Sequence, residues 1–388
     1  MSKQVIFTDR VMEPIAHFSH AVRIGGLIHL GATAGTDARR RLAGASPGLI
    51  DPLAQTEKMF DNARIVLELL GADWGDVIRI KTYVADMRDV SVYRASFDRT
   101  LANARPCHTI VGSAGFPLPQ AALELDLVAA VGPNVERHPA AGDATQAQGR
   151  FHCTARPSLG PAGKLRSIQD EFERQTDSAF EQLTRFLAAA ELALPDTVYL
   201  HATLSDVRFV DAFESCFRAC FAHAPPACTV VIAFSEQPDC LLTLEAVAVA
   251  GGGSPIADGL GEHRQLGSAA VLAGEELYIG GQYGADAHGK LAGGVEAQTL
   301  AAWDRVRAIL QAAGMSVEHI LRTNNILTDW RSYAGFNAGY GANVRKPYPP
   351  RATVLGSLAL PGALVQVEAI AHRGGDEATI VLAGPTGS

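Results

Sequence analysis

The sequence lacks the motifs that identify metal and cofactor sites. Its six cysteines form no Cys-x-x-Cys pair, and no His-x-x-x-His pattern supplies the further ligands that a zinc site needs. We therefore interpret the cysteines as buried, reduced side chains. The sequence also has no Gly-x-Gly-x-x-Gly after a strand and no P-loop. It predicts neither a metal ion nor a cofactor.

Long apolar runs and clusters of positive charge are missing as well. No stretch of about 18 apolar residues exists, so we expect no membrane span. The first five residues, Met1 to Val5, lack the charged and then apolar form of a signal peptide, and we expect a cytoplasmic protein. The net charge is −8, which argues against a nucleic-acid partner.

The size and composition of the chain are those of a globular protein with more than one domain. The chain has 388 residues, of which 47% are hydrophobic. At about 150 residues per domain, this length predicts two or three domains. The hydrophobic content is sufficient for a core in each of them.

One short motif occurs three times with a different residue at its centre. Pro349-Pro350-Arg351-Ala352-Thr353-Val354 has two counterparts, which begin at Pro106 and Pro226. His108 and Cys228 stand in these copies where Arg351 stands in the third. An arginine guanidinium is a rigid fork of donors that suits bidentate binding of a carboxylate. The sequence therefore predicts one unit repeated three times, with a different reactive or charged side chain at the third motif position of each copy.

Two further positions keep the register of the repeat. In each copy a Gln-Thr pair begins 51 residues before the first proline of the motif; the glutamines are Gln55, Gln175 and Gln298. An aspartate follows each glutamine by 31 residues; these are Asp86, Asp206 and Asp329. A period this long predicts separate domains rather than a solenoid. We assign repeat one to residues 1–135, repeat two to 136–252 and repeat three to 253–388, with a C-terminal tail.

The pattern within repeat one predicts the order ββαβαββ. Apolar runs at 18–24 and 27–30, split by two glycines, are typical of a hairpin. Helices are predicted at 53–70 and 90–101, and strands at 77–84, 109–111 and 123–131. Residues 132–148 are rich in Ala, Gly and Pro. They are either a linker or a remodelled first hairpin of repeat two. The first hairpin of repeat two is otherwise expected to be clipped. The aspartates are expected to cap or start turns before the second helix.

These elements predict an α+β fold with three mixed sheets. Two helices can cover only one face of each sheet, so the other face must be buried by something else. Three copies in one chain can supply that cover. We expect the three sheets to face one another about a pseudo-threefold axis.

Several of these motifs together resemble the Rid (YjgF-type) family of enamine and imine deaminases. The matching segments are 277–282 (Leu-Tyr-Ile-Gly-Gly-Gln), 298–299 (Gln-Thr), 336–340 (Phe-Asn-Ala-Gly-Tyr), 350–354 (Pro-Arg-Ala-Thr-Val), 367–371 (Val-Glu-Ala-Ile-Ala) and, in repeat one, 18–23 (Phe-Ser-His-Ala-Val-Arg). Arg351 precedes Glu368 by 17 residues, as in the family pattern. The resemblance implies Rid-like (chorismate-mutase-like) domains arranged as a covalent trimer, with three non-equivalent clefts between repeats.

The resemblance also implies roles for individual residues, and these are divided between the repeats. In the family an arginine binds the carboxylate of an imino or keto acid, and a glutamate orients water. Repeat three keeps Arg351 but has Gln366 at the water position. Repeat one keeps Glu124 but has His108 in place of the arginine, and these two are a candidate acid–base pair.

The other positions of the family site complete the prediction. Repeat two has Cys228 and Thr243, so it lacks both groups, and the family tyrosine is Phe18 in repeat one. We expect Cys228 to be a packing residue. The predicted site is one cleft around Arg351, in which Gln366 positions water; its substrate-binding residues are Arg351, Thr353, Gly281, Gln282, Asn337 and Phe18.

Three hypotheses about function remain open at this point. The first is a Rid-like enzyme that acts on a small carboxylated imine, enamine or related carbonyl compound, by hydrolytic deamination or by a diverged lyase or condensation reaction in biosynthesis. The second is a binding or regulatory protein with one anion-binding cleft and no catalysis. The third is a scaffold whose clefts are vestigial. In each case the partner is a small carboxylate or none, and the chain is a monomeric pseudo-trimer or a weak homo-oligomer.

Overall fold

The computed structural model describes residues 2–132, 135–138, 144–159, 167–257, 259, 266–286 and 288–383. Repeat one contains β1 (Lys3–Thr8), β2 (Ala21–Ile24), β3 (Leu27–Ala34), α1 (Pro52–Leu69), β4 (Val77–Val84), α2 (Val90–Thr100), β5 (Cys107–Gly112) and β6 (Leu123–Ala130). Repeat two contains β7 (Glu136–His138), β8 (Ala144–Ala147), β9 (Arg150–Ala155), α3 (Ile168–Ala189), β10 (Thr197–Leu204), α4 (Val210–Cys220), β11 (Ala227–Ile232) and β12 (Leu242–Ala248).

Repeat three has the same plan and ends with an additional strand. Its elements are β13 (Ser254–Ile256), β14 (Ala270–Ala273), β15 (Glu276–Tyr283), α5 (Gly294–Ala312), β16 (Ile320–Leu327), α6 (Tyr333–Gly341), β17 (Arg351–Leu355), β18 (Ser357–Leu358), β19 (Val365–His372) and β20 (Ala378–Ala383). The tail beyond repeat three thus contains a strand, and residues 384–388 lie outside the described part of the chain.

The strands form three mixed sheets, which confirms the predicted α+β fold of three tandem domains. Their orders are β20-β1-β2-β3-β6-β4-β5, β18-β11-β10-β12-β9-β8-β7 and β13-β14-β15-β19-β16-β17. In each repeat the strand between the two helices pairs in parallel with the strand that contains residue 108, 228 or 351. These parallel pairs are β4 with β5, β10 with β11 and β16 with β17. Two strands cross the assigned repeat boundaries, since β20 pairs with β1 and β18 pairs with β11.

The first hairpin of repeat two is present, contrary to the expected loss. Strands β8 and β9 pair antiparallel across a turn at Gln148 and Gly149, both of which have positive φ. Of the two interpretations of residues 132–148, the remodelled hairpin is therefore the one that the structure contains. The sequence did not predict this hairpin because its turn is Gln148-Gly149 and lacks the two glycines that mark the turn of the first hairpin in repeat one.

The three repeated glutamines each close the same loop. Gln55 accepts a hydrogen bond from the backbone of Ala122 (2.8 Å) and donates one to the carbonyl of Gln120 (3.0 Å). Gln175 makes the same pair of bonds with Leu241 and Asp239, and Gln298 with Leu364 and Gly362. The amide has both a donor and an acceptor, so it ties the first helix of a repeat to the loop before its last strand.

The repeated aspartates cap short 3-10 turns, as the sequence predicts. The side chain of Asp86 accepts a hydrogen bond from the backbone of Arg88 at 3.0 Å, just before α2. Asp206 and Asp329 do the same before α4 and α6. Caps of this kind satisfy backbone N–H groups that have no partner within the helix.

Each repeat has a hydrophobic core between its helices and one face of its sheet. Helix α1 begins at the Asp51 cap and ends before Gly71, whose φ of +71° suits glycine. Its buried face includes Met59, Phe60 and Val66, which pack with strand residues of β3, β4 and β6. Comparable cores surround α3 and α5. The helices thus leave the opposite face of every sheet to be covered by other repeats.

That opposite face carries charged side chains, which pair between repeats. Asp126 of repeat one binds Arg79 of the same repeat and Arg322 of repeat three, the latter at 2.9 Å. Glu245 of repeat two binds Lys81 and Arg79 of repeat one. Because a buried charge without a partner is costly, these pairs hold the three sheets in one relative position.

A small cavity of about 60 Å³ lies among these charged residues. Although burial raises the pKa of Asp126, the charges of Arg322 and Arg79 bring it below its ordinary value. Asp126 is therefore a carboxylate at neutral pH, and both arginines depend on it.

No helix in the described ranges is long and apolar enough to cross a membrane.

Replacing Asp126 by asparagine should destabilise the whole chain. The substitution Asp126→Asn leaves Arg79 and Arg322 buried without their shared carboxylate, and breaking a buried pair in this way costs about 3–5 kcal/mol. We expect a corresponding fall in the free energy of unfolding, measured by urea denaturation followed by circular dichroism.

The matched control is Asp61→Asn on the exposed side of α1, where Asp61 pairs with Lys58 and Arg64. An exposed pair contributes at most about 1 kcal/mol, so this variant should unfold near the wild-type midpoint. Equal effects of the two substitutions would contradict a special role for the buried charges.

Candidate functional site

The cleft that contains Arg351 is formed by repeat three and repeat one together. Strand β17 begins at Arg351 and packs against β3 of repeat one. At the closest point Gly31 faces the backbone of Arg351: a Cβ added to this glycine would lie 3.1 Å from the Arg351 nitrogen and oxygen. The backbone of the arginine strand can approach repeat one this closely because residue 31 has no side chain.

Arg351 is held in place without a carboxylate partner in the described part of the chain. Its Nη2 donates hydrogen bonds to Asn337 Oδ1 (2.6 Å) and to the hydroxyl of Tyr333 (3.2 Å). Its Nη1 is buried and has no hydrogen-bond partner among the described residues, and the same is true of Thr353 Oγ1. Since buried donors are nearly always paired, this arrangement is suited to an anion that would complete the set.

Three aromatic rings surround the guanidinium of Arg351. Its central carbon lies 5.4 Å from the ring of Phe18, 5.3 Å from that of Phe336 and 4.5 Å from that of Tyr340. Phe18 belongs to repeat one, whereas the other two rings belong to α6. These rings exclude water from the charge and fix its orientation, so an anion here meets a desolvated cation.

Glu124 reaches the same cleft from β6 of repeat one. It lines the cavity of about 40 Å³ that is also lined by Arg351, Thr353, Phe18 and Tyr333. Its carboxyl makes no hydrogen bond or ion pair with the described residues, and burial raises its pKa to about 8. Glu124 is therefore mostly protonated at neutral pH and is able to donate a proton.

Apolar side chains complete the cleft on the repeat-one side; they are Met12, Ile15, Ala32, Ala34, Pro117 and Leu118. A single guanidinium, a neutral carboxyl and an unpaired hydroxyl thus face a largely apolar space. This combination fits a small molecule with one carboxylate and a group that accepts a proton.

The division of the site between repeats corrects the predicted cleft. The cavity at Arg351 is not lined by Gln366, Gly281 or Gln282. Gln366 packs against Gly281, where an added Cβ would be 2.4 Å from its Nε2, and Gln282 accepts a hydrogen bond from Arg305. These residues are on β15 and β19, and β15 packs against β11, the strand of Cys228. The strand that carries Arg351, and the strands that carry His108 and Cys228 in the other repeats, each pack against the following repeat in cyclic order. The residues of one repeat are therefore divided between two clefts.

The cleft between repeats one and two is filled by its own side chains. His108 is buried and stacks on Phe97 at 4.1 Å. Its Nε2 bonds to the hydroxyl of Tyr93 (2.9 Å), and its Nδ1 to Arg94 Nη1 (3.1 Å). Burial and the charge of Arg94 hold its pKa well below the ordinary value. The predicted His108–Glu124 pair does not form, because His108 and Glu124 lie in different clefts.

An internal carboxylate occupies that second cleft. Glu236 of repeat two binds Arg94 of repeat one through two hydrogen bonds, of 2.5 Å and 2.6 Å, and lies 4.0 Å from Arg156. Arg94 occupies in repeat one the position that Asn337 occupies in repeat three, since Asn337 follows it by 243 residues, the spacing between Gln55 and Gln298. The side chain of Glu236 thus supplies the anion that this cleft would otherwise have to take from solution.

The cleft between repeats two and three is closed around Cys228. A Cβ added to Gly267, the counterpart of Phe18, would lie 3.2 Å from Cys228 Cβ. Burial raises the pKa of the Cys228 thiol, so the thiolate that a nucleophile requires is disfavoured. Cys228 is a packing residue in this environment, as the sequence predicts.

The sequence interpretation missed Tyr333 and the pairing of Arg351 with Glu124. Both follow once the repeats contact one another in cyclic order, with β17 against β3, β5 against β9, and β11 against β15. The resemblance implies clefts between repeats, but it does not indicate which repeat forms the opposite wall of each cleft. Tyr333 had no motif signal, because valines stand at its counterparts 90 and 210.

Comparison with known proteins finds one family in two separate segments of the chain. A family model described as Endoribonuclease L-PSP matches residues 8–131 and 265–373, more than half of the chain. A RutC family protein of Pyrococcus abyssi (strain GE5 / Orsay) is 26% identical over 120 residues, which is 30% of this chain and 89% of the relative.

Two solved structures illustrate the similarity. The crystal structure of RidA from the Antarctic bacterium Psychrobacter sp. PAMC 21119 is 34% identical and covers 31% of this chain and 98% of its own, with a TM-score of 0.29. A chorismatase structure is 12% identical and covers 76% of this chain and 93% of its own, with a TM-score of 0.53, a likeness of fold alone. On the family match, the chain belongs to the Endoribonuclease L-PSP family, the Rid (YjgF-type) family that its motifs resemble.

Proposed function

We propose that the protein is a Rid-type enzyme that hydrolyses a small carboxylated imine in the single cleft between repeats three and one. The observation that carries this proposal is the presence of Arg351 and Glu124 in one cavity. One is a cation with an unpaired donor, and the other is a buried acid that keeps its proton at neutral pH. A 2-imino acid presents a carboxylate and a basic nitrogen on adjacent carbons, and these two groups match the pair.

The residues of the cleft suggest an order of events. Arg351 binds the substrate carboxylate, helped by the Thr353 hydroxyl, which is buried and unpaired. Asn337 and Tyr333 hold the guanidinium in its orientation. With the carboxylate fixed, the imine nitrogen and the adjacent carbon lie toward Glu124 on the other wall.

Glu124 then transfers its proton twice. It first protonates the imine nitrogen, which makes the adjacent carbon more electrophilic and leaves Glu124 as a carboxylate. The carboxylate takes a proton from the attacking water, whose oxygen forms a bond to that carbon. The restored acid protonates the amine. As the carbon–nitrogen bond breaks, the hydroxyl group becomes the carbonyl and returns its proton to Glu124, and ammonia and a keto acid leave. One water is consumed and Glu124 ends in its starting state.

The other two clefts are not proposed as sites. Glu236 fills one, and Cys228 with Gln366 occupies the other. The alternative of a binding or regulatory protein is favoured by Gln366 and Cys228, which stand at family site positions without the family's acid and arginine. The presence of Glu124 beside Arg351 in one cavity weakens this alternative. Ribonuclease activity, which the family description names, is not proposed either, because the chain carries a net charge of −8 and the cleft has one cation.

Arg351→Ala should remove most of the imine hydrolysis. Loss of a bidentate, charge-assisted contact worth about 3 kcal/mol predicts a fall of about 100-fold in kcat/KM. The measurement uses imino acids generated in place by an amino-acid oxidase, with semicarbazide trapping as the competing reaction. Arg351→Lys, which keeps the charge but not the fork, should have intermediate activity.

Cys228→Ala is the matched control, because Cys228 stands at the same position of repeat two and is a packing residue. It should suppress semicarbazide trapping as wild type does. If wild-type protein itself leaves trapping unchanged for every amino acid, hydrolysis of imines is not its function. Saturable binding of keto acids would then identify the second hypothesis, a carboxylate-binding protein without turnover.

The pH dependence should report the proton of Glu124. Since the protonated form is the reactive one, kcat/KM should be level below about pH 8 and fall tenfold per unit above it. Glu124→Gln cannot transfer a proton, so its rate should be about 100-fold to 10,000-fold lower and without this descending limb. A rate that rises through pH 8 in wild type would instead assign Glu124 as a general base.

The same group should influence stability. Its folded-state pKa of about 8 exceeds the ordinary 4.5, so the folded chain binds an additional proton between these values. The contribution of Glu124 to the free energy of unfolding is therefore present at low pH and lost as the pH rises through about 8. Glu124→Gln should lack this loss, which thermal melts at pH 6 and pH 9 can measure.

A further inference from the structure

A larger apolar depression adjoins the Arg351 cleft. It has a volume of about 480 Å³ and shares Pro117, Leu118 and Tyr333 with the cleft. Trp330 and Ile50 are among its other lining residues. Because the cleft itself has a volume of only about 40 Å³, a ligand whose carboxylate is at Arg351 meets this depression as soon as it extends past Tyr333.

Two aromatic residues form the boundary of the depression. The rings of Trp330 and Tyr333 meet edge to face with centroids 5.3 Å apart. Tyr333 also bonds to Arg351 through its hydroxyl, so one side chain touches both the anion-binding group and the depression. The pair therefore links the two compartments physically.

Comparison of the three repeats shows that this aromatic pair is specific to repeat three. Trp330 directly follows Asp329, and its counterparts after Asp86 and Asp206 are Met87 and Val207. Tyr333 likewise corresponds to valines at 90 and 210. The same fold therefore packs with aliphatic side chains at both positions. Only the repeat that kept the arginine carries the large rings.

Packing alone does not explain the choice of tryptophan at position 330. Its Nε1 is buried without a hydrogen-bond partner among the described residues, next to Gly115, where an added Cβ would lie 3.1 Å away. An unpaired buried donor costs about 1–3 kcal/mol, which phenylalanine or methionine would avoid. The indole offers a wide aromatic face in return, and a ligand in the depression can use that face.

A second depression also adjoins the cleft and is a poorer route for an apolar group. Its volume is about 530 Å³, but it shares only Phe18 with the cleft. Its lining includes the charged residues Asp9, Glu13 and Lys346, whereas the lining of the Trp330 depression includes none among the described residues. An apolar extension of the substrate is better accommodated by the depression of Trp330.

We infer that the substrate is a carboxylated imine with an extended apolar or aromatic side chain, which lies along Tyr333 and packs on Trp330. This inference rests on the proposed function for the carboxylate end. It assigns Trp330 as the residue that determines selectivity for side-chain size. Short substrates, such as the imine of alanine, would leave the depression unused.

Binding of stable keto acids tests the inference without relying on catalysis. The ligands are pyruvate, 4-methyl-2-oxopentanoate and phenylpyruvate, measured by isothermal titration calorimetry. We expect wild type to bind phenylpyruvate at least tenfold more tightly than pyruvate. Trp330→Leu should raise the Kd for phenylpyruvate about tenfold and leave that for pyruvate within twofold. Trp330→Phe, which keeps an aromatic face, should lose no more than about threefold.

Two control variants locate the effect. Val207→Ala alters the counterpart of Trp330 in repeat two and should change neither Kd. Tyr348→Ala alters an aromatic residue of the charged depression and should leave the preference for phenylpyruvate intact. Equal affinity of wild type for all three keto acids, or loss of the preference in Tyr348→Ala instead of Trp330→Leu, would overturn the inference.

The outcomes separate this inference from the proposed function. Hydrolysis of imines without any preference for long side chains would leave the enzyme assignment standing and refute the role of Trp330. A preference for phenylpyruvate that depends on Trp330, without hydrolysis of any imine, would support the inference and refute the enzyme assignment.

Discussion

The structure depends on the burial of one charged face from each of three sheets. The helices of a repeat cover only one side of its sheet, and the other side carries residues such as Arg79, Asp126 and Glu245. Asp126 and Glu245 each also pair with a cation of another repeat, so a repeat on its own would leave buried charges without part of their partners. The same requirement brings β17 against β3 and thereby creates a cleft with walls from two repeats.

The sequence predicted the fold well because its evidence was redundant. Glutamines and aspartates recur in fixed register, and each has one structural role that occurs in all three repeats. Periodic apolar residues and the glycine after the helix then place α1 within one residue at each end. The exceptions are β8, whose turn at Gln148 has no glycine pair, and β1 and β20, whose pairing joins residues more than 370 positions apart.

The site was harder to predict because its composition depends on contacts between repeats. Sequence register associates Arg351 with Gln366 and His108 with Glu124, since each pair is close along the chain. The structure associates Arg351 with Glu124 instead. Side chains such as Tyr333 and Trp330 carry no motif, and they become informative only when their aliphatic counterparts in the other repeats are aligned with them.

Covalent linkage of the repeats explains how one cleft can specialise. In a symmetric trimer of identical chains, replacing the arginine would alter all three clefts at once. Here His108 and Cys228 replace it in two copies while Arg351 remains in the third. Glu236 then neutralises Arg94 inside the cleft between repeats one and two, and burial keeps Cys228 as a thiol in the cleft between repeats two and three. Two clefts are thereby free to stabilise the assembly, while the third keeps Arg351 beside the aromatic pair of Tyr333 and Trp330.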